Sequence, residues 1–197
     1  MCAITSVYYS TMPIEPNTYN EKELIQALQD TARRDAAFSV LVKLYSKQLY
    51  WQIRRMVLNH DDSDDILQNT FIKVLNSIHN FRGDSQLSTW LHRIAINETL
   101  TFLNHKQAET VSLDSEEGSI AEQLESDSLF SGSHADALLQ EAITRLPQKQ
   151  RLIFNMKYYD DMKYEQISEI LGTSVGALKA SYHIAVKKIE SYLLENN

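Results

Sequence analysis

The sequence predicts an all-α protein: two small helical domains joined by a flexible acidic linker, the second containing a helix-turn-helix. Three observations predict it. Five Gly and three Pro in 197 residues leave little material for tight hairpins. The apolar residues recur at helical rather than strand spacing. The formal charge of −7 is also concentrated, because residues 106–140 carry one basic group against eight acidic ones. Residues 24–105 carry nine basic against eight acidic groups, residues 141–197 eight against seven, and residues 1–23 one Lys and three Glu.

Composition narrows the classes further. A single cysteine, Cys2, excludes an internal disulfide and a cysteine-rich zinc site. No run approaches the length of a membrane span, so no membrane insertion is expected. The opening MCAITSVYYSTMP lacks the basic start of a signal peptide, which a lipoprotein role for Cys2 would also require, and a soluble, cytoplasmic protein is expected. The near-neutral charge of the two helical blocks predicts weak autonomous DNA binding, since Lys and Arg contacts to phosphate dominate non-specific affinity. A partner would then be needed for firm engagement.

The first block, residues 22–105, opens with a helix predicted over about Glu21 to Thr31. A second, from about Asp35 to Leu58, turns Phe38, Leu41, Val42, Tyr45, Leu49 and Ile53 toward a core. Ser63, inside the acidic run Asp61 to Asp65, is the expected cap of the third helix, and the aspartates after it suit a helix N-terminus. That helix buries Ile66, Leu67, Phe71, Val74, Leu75 and Ile78, leaving Asp64, Asp65, Gln68, Asn69 and Lys73 outside. A loop from His79 to Gln86 precedes STWLHRIAINETLTFL, expected to be capped by Ser88, with Trp90, Leu91, Ile94 and Leu100 on its core side.

From His105 to about His134 the periodicity collapses into polar, acidic sequence, read as a tether over residues 106–135 with a short helical piece around Ile120–Leu129. The second block, residues 136–197, starts with a helix from about Asp136 to Leu146. Pro147 suits the first position of the next, QKQRLIFNMKYY, with Leu152, Ile153 and Met156 inward. YEQISEIL and the helix beginning after Ser174 are separated only by Gly172, Thr173 and Ser174, the glycine turn of a helix-turn-helix. Gly172 can end the first helix left-handed and Ser174 can cap the second. Leu178, Tyr182, Ala185, Ile189 and Leu193 share one face, with Lys179, His183 and Lys187 opposite, as a helix laid in a DNA major groove requires.

Each feature has a plainer competitor. Paired short helices also occur in bundles with no DNA role, and outward lysines are ordinary solvated surface. The run Asp61 to Asp65 lacks the glycine and ligand spacing of a calcium loop, so a solvated helix start is the better reading. The polar edge of the helix behind it could dock a basic protein partner. The loop His79 to Gln86 could hold an unstacked base by stacking and edge hydrogen bonds, or be a connector with Phe81 tucked into the core. Trp90 is a better core residue than stacking platform, whereas His92 and Arg93 lie on other faces and are better candidates for strand contact. No catalytic constellation, metal site, phosphate loop or cofactor motif is legible.

Taken together, the two blocks resemble bacterial sigma factors of the extracytoplasmic-function (ECF) group of the sigma-70 family. The resemblance covers about residues 22–105 and 136–194. DDSDDILQNTFIKVLNSIHNF is similar to the segment that docks on the beta-prime coiled coil of RNA polymerase, which implies contact through Asp64, Asp65, Gln68, Asn69 and Lys73. FRGDSQLSTWLHRIAINETLTFL is similar to the segment that opens and reads the −10 element. Phe81, Arg82, Gly83, Asp84, Ser85 and Gln86 match its base-capturing loop, and Trp90, Arg93 and Asn97 match the family's tWLyrIarN pattern. The second block resembles the domain that reads the −35 element, with Ser174, Lys179, Ser181, His183 and Lys187 at its DNA-contacting positions. Where the family reads GTVKSRLHRAR, this chain reads GALKASYHIAV. Ser181, Ile184 and Val186 replace typically basic residues and Ala177 replaces a threonine, which removes phosphate-gripping charge.

The resemblance implies a non-enzymatic promoter-specificity subunit, without cofactors, partnered by promoter DNA and by core RNA polymerase through its beta-prime and beta subunits. The acidic tether would run through a basic channel of the polymerase. The weakened basic character of the last helix keeps an alternative open, an interaction module whose second block is engaged by an anti-sigma factor or another recruiting protein rather than by a −35 element.

Overall fold

The computed structural model describes residues 20–112 and 134–196. The helical piece expected around Ile120–Leu129, most of the tether and Cys2 lie outside the described residues. In chain order the helices are α1 (Glu21–Gln29), α2 (Arg34–Val57), α3 (His60–Ser77), a 3-10 turn (Ile78–Asn80), α4 (Leu87–Ser112), α5 (His134–Thr144), α6 (Gln148–Tyr158), α7 (Tyr164–Leu171) and α8 (Val175–Glu195). None of the helices in the described residues is long and apolar enough to cross a membrane.

The boundary between α2 and α3 differs from expectation. Helix α2 ends on Leu58, which takes the left-handed conformation (φ 65°), and Asn59 then caps α3 by accepting a hydrogen bond from the Asp62 amide at 2.9 Å. Ser63 is therefore no cap. It lies a turn inside α3, buried, with its hydroxyl donating back to the Asn59 carbonyl at 2.5 Å. Ser88 is likewise inside its helix, because α4 starts at Leu87. The Leu87 amide is satisfied from far away in sequence, donating to Glu21 Oε1 of α1 at 2.7 Å.

Helix α4 also runs on past His105 to Ser112. Residues 105–112 include Lys, Gln, Ala and Glu, good helix formers that need no buried face to extend an existing helix. Lys106 on this extension pairs with Asp62 of α3 at 2.9 Å. Helix α5 begins two residues before Asp136, and Pro147 flanks α6 at its cap position rather than in its first turn, shifts within ordinary boundary differences.

Among the described residues, three apolar clusters hold these helices. The first joins α1 to α4 around Leu28, Leu41, Leu49, Ile53, Val74 and Leu91, with Phe38 set edge-on to Phe71 at 6.1 Å. The third joins α5, α6 and α8 through Ala142, Ile143, Leu146, Phe154, Ala185 and Ile189. The second crosses between the blocks. Met56 of α2 and Ile96 of α4 are packed with Leu152, Ile153, Met156, Met162, Ile167, Ile170 and Leu178. Burying each such side chain is worth roughly 1.5–3 kcal/mol, so the contact between blocks is a substantial one.

Candidate nucleic-acid and partner interface

Helix α3 carries the first candidate surface. Its inner face is buried through Ile66, Leu67, Thr70, Phe71 and Val74, and helical geometry leaves Asp65, Gln68 and Asn69 exposed along one outer edge. Ile72 stands on the same edge with 49% of its surface exposed. It is an apolar residue among polar neighbours, four positions from Gln68, and sequence reasoning passed over it. The other two predicted contacts, half-buried Asp64 and exposed Lys73, each lie beside a side-chain partner. Asp64 is half-buried, 3.7 Å from His60 Nε2, and burial raises its carboxyl above the usual range, with His60 opposing and Asp61 and Asp65 adding to the shift. Lys73 is ion-paired to Glu98 of α4 at 2.5 Å.

The loop between α3 and α4 is anchored from α1, where Gln29 Nε2 donates to the carbonyls of Phe81 at 2.9 Å and Ile78 at 3.3 Å. Arg82, Gly83, Asp84 and Gln86 are exposed, with Ser85 half-buried. Gly83 has φ 75°, a conformation that strains any residue with a Cβ. Phe81 is only 7% exposed, its ring 5.1 Å from that of Trp90, so both aromatics belong to the apolar cluster in this arrangement.

Along α4 the predicted strand-contact residues divide. Asn97 is exposed. Arg93 is turned onto the second block, where its NH2 donates to the Glu169 carbonyl of α7 at 2.7 Å. His92, expected to be a strand contact, is instead 2% exposed, and its Nδ1 lies 2.8 Å from Gln52 Oε1. Burial pushes its pKa down to about 4, so the ring is neutral near pH 7 and donates to the amide oxygen. The α4 face carrying His92 packs inward on α2, which a count of apolar residues alone did not reveal.

The second block forms the expected turn. Gly172 caps α7 in the left-handed conformation at φ 63°, and Ser174 caps α8 by accepting from the Ala177 amide at 3.4 Å. Leu178, Ala185 and Ile189 are buried, while Tyr182 and Leu193 are half-buried. Ser174, Lys179, His183 and Lys187 are exposed, and Ser181 is half-buried. Lys179 also lies 5.6 Å from the Tyr164 ring centroid, a cation–π placement that steadies it near the helix start. Ile184 is 45% exposed and borders a shallow groove of about 380 Å³ with Lys187, Lys188, Ser191, Tyr192 and Glu195.

A helix-turn-helix with an outward row of Lys179, His183 and Lys187, beside a second helical block with an exposed polar edge, has the form of a DNA-binding protein. Comparison with known proteins makes the class specific. Sigma-70 region 2 matches residues 41–109 and Sigma-70, region 4 matches residues 136–189. The chain is 32% identical over 157 residues to the ECF RNA polymerase sigma factor SigW of Bacillus subtilis (strain 168), covering 75% of this chain and 83% of that one. It is 29% identical over 189 residues to the RNA polymerase sigma-H factor of Pseudomonas aeruginosa, covering 88% and 93%. Among solved structures, the sigma factor RpoE in complex with the anti-sigma factor NepR from Bartonella quintana has the same fold, with TM-score 0.66 at 21% identity over 81% of this chain and 98% of that one. CnrH, solved with the cytosolic domain of CnrY, matches with TM-score 0.66 at 20% identity over 90% and 99%. The chain belongs to the ECF group of the sigma-70 family of RNA polymerase sigma factors. Its function is to direct transcription initiation by RNA polymerase, and it is not itself an enzyme.

Proposed function

We propose that three surfaces divide this work. The α3 edge, Asp65, Gln68 and Asn69 with Ile72 among them, docks on the beta-prime subunit of core polymerase. There an apolar anchor ringed by polar groups is the usual arrangement of a binding hot spot. The loop Arg82 to Gln86 with Asn97 and Arg93 holds the separated −10 strand, so that pocket and backbone contacts offset the cost of unstacking the bases. Lys179, His183 and Lys187 of α8 meet the upstream −35 duplex.

The observation that carries this reading is the exposure pattern: Asp65, Gln68, Asn69, Arg82, Asp84, Gln86, Asn97, Lys179, His183 and Lys187 are exposed beside buried neighbours in the same elements. Transcription by purified core polymerase plus this chain on random promoter fragments tests it. Enrichment of fragments sharing two spaced elements is expected, and absence of enrichment over core alone refutes it.

One observation favours a further partner. Ile184 stands exposed between the lysines of α8, where the family resemblance predicts a basic residue. An apolar residue there suits a protein better than a phosphate backbone, and the solved relatives RpoE and CnrH were captured with NepR and with the cytosolic domain of CnrY. An anti-sigma factor or recruiting protein engaging this helix is the second reading. Ile184→Arg separates them by strengthening binding to upstream DNA in the first case and abolishing partner capture in the second.

A further inference from the structure

We propose that α1 is the jig of the strand-capturing loop, with Glu21 and Gln29 as positioning residues that hold the two ends of that loop at a fixed span. The inference deepens the reading of Arg82 to Gln86 as the strand-holding loop and rests on it. Gln29, the last residue of α1, donates from Nε2 to the carbonyls of Phe81 at 2.9 Å and Ile78 at 3.3 Å, where the loop begins. Glu21, the first residue of α1, accepts from the Leu87 amide at 2.7 Å, where the loop ends. Between the two ties, Leu24 and Leu28 of α1 are buried in one cluster with Phe81 and Leu87. The loop is laid along α1 and bound at both ends.

The spacing of the ties shapes the loop. Glu21 and Gln29 are eight residues apart, which is about 12 Å along a helix that rises about 1.5 Å per residue. The six steps from Phe81 to Leu87 could cover about 20 Å if extended. The surplus chain bows away from α1 and carries Arg82, Gly83, Asp84 and Gln86 into solvent, with Gly83 at φ 75°. Helix α1 is itself fixed. Asn20 caps its start by accepting from the Lys22 amide at 3.1 Å, and at its other end Arg34 of α2 donates from Nε to the Leu28 carbonyl at 3.2 Å.

Glu21 also settles which residue can stand at the start of α4. The Gln86 carbonyl accepts from the Trp90 amide at 3.1 Å, which puts Gln86 at the cap position. That position favours Ser, Thr, Asp or Asn, whose side chains are taken up by the helix amides. With Glu21 supplying an acceptor from α1, a glutamine stands there with its side chain exposed to the strand. A loop arranged in advance loses less on meeting the strand than one that must first be ordered.

The test uses the full chain with core polymerase on a promoter selected by the chain itself. Gln29→Met and Glu21→Ala should each lower the equilibrium constant for strand opening about fivefold, the factor that losing one hydrogen bond of about 1 kcal/mol gives. Duplex recruitment and thermal melting should stay at parent values, because both side chains lie on the exposed side of α1. Glu21→Gln keeps the acceptor oxygen and should keep normal opening. Hydrogen exchange at the Leu87 amide should quicken in Glu21→Ala and not in Glu21→Gln. Should Gln29→Met destabilise the chain, Glu21→Ala with its glutamine control carries the same test from the other end. Unchanged exchange at Leu87 in Glu21→Ala overturns the tie. Normal opening in both Gln29→Met and Glu21→Ala, or recruitment falling in step with opening, overturns the positioning role. Arg82→Ala with Gln86→Ala tests the loop reading alone. Normal opening there removes that reading and this inference with it, whereas impaired opening there beside normal opening in the α1 variants removes only the jig.

Discussion

His92→Gln should flatten the acid limb of the chain's stability profile. The buried imidazole of His92 is 2% exposed, bonded to Gln52 at 2.8 Å, and held near a pKa of about 4 by burial. In the unfolded chain an ordinary histidine titrates near about 6.5. The folded form therefore resists protonation while the unfolded form accepts it. The stability this supplies is complete above the unfolded pKa and is lost as pH falls from there through the folded one. At about 1.36 kcal/mol per unit, moving from about pH 7.5 to about pH 4.5 should remove about 2.5 kcal/mol through this residue alone. Carboxylates titrate over part of the same range, so the informative quantity is the difference between parent and variant. Urea unfolding at both pH values measures it. Glutamine retains a donor for Gln52, so the variant should be less stable than the parent at neutral pH by a modest packing cost, and the gap should close or invert in acid. Identical pH dependence in parent and variant would show that His92 is not a buried neutral group.

Three further outcomes concern the surfaces. Asp65→Arg with Gln68→Ala should weaken core polymerase capture without lowering thermal stability, because both side chains are exposed and like charge meets a basic docking surface; undiminished pull-down removes α3 as the docking edge. Arg82→Ala with Gln86→Ala should leave duplex recruitment intact but suppress strand opening in permanganate footprints, at roughly 1 kcal/mol for each hydrogen bond to the strand lost. Normal opening makes the loop a connector. Lys187→Ala should weaken DNA binding almost equally on all sequences and lower the salt-dependence slope by about 1, whereas Lys179→Ala, nearer the start of α8, should reduce dependence on the upstream element. Equal effects of both on every template would make Lys179 a phosphate contact only.

Local signals made much of the fold legible. Gly172 and Ser174 carry the conformations their residue types favour, and the spacing of Leu178, Ala185 and Ile189 predicts the buried face of α8. The inner face of α3 was equally readable, with only Leu75 left half-buried. What escaped was set by tertiary structure. Leu58 ends α2 in a left-handed conformation that a leucine rarely adopts, and although Asn59 is a residue type favoured at caps, Ser63 in the acidic run offered a competing one. The first amide of α4 is satisfied by Glu21, far away in sequence, which no local capping rule can foresee. His92 and Arg93 look alike as polar residues of one helix, yet one packs against α2 and the other reaches α7. Periodicity marked apolar positions such as Leu152 and Met156 as inward-facing but could not say that Met56 and Ile96 would cover them.

We propose that this sigma factor reads promoters through both blocks. Run-off transcription with purified core polymerase, on a promoter selected by the chain itself and then scrambled separately at its −10 and −35 elements, tests that claim most directly. Loss of transcript on −10 scrambling and a clear reduction on −35 scrambling, with the latter abolished in Lys179→Ala, is the result predicted. Transcription indifferent to the upstream sequence would contradict it, leaving α8 as a surface for a protein rather than for DNA.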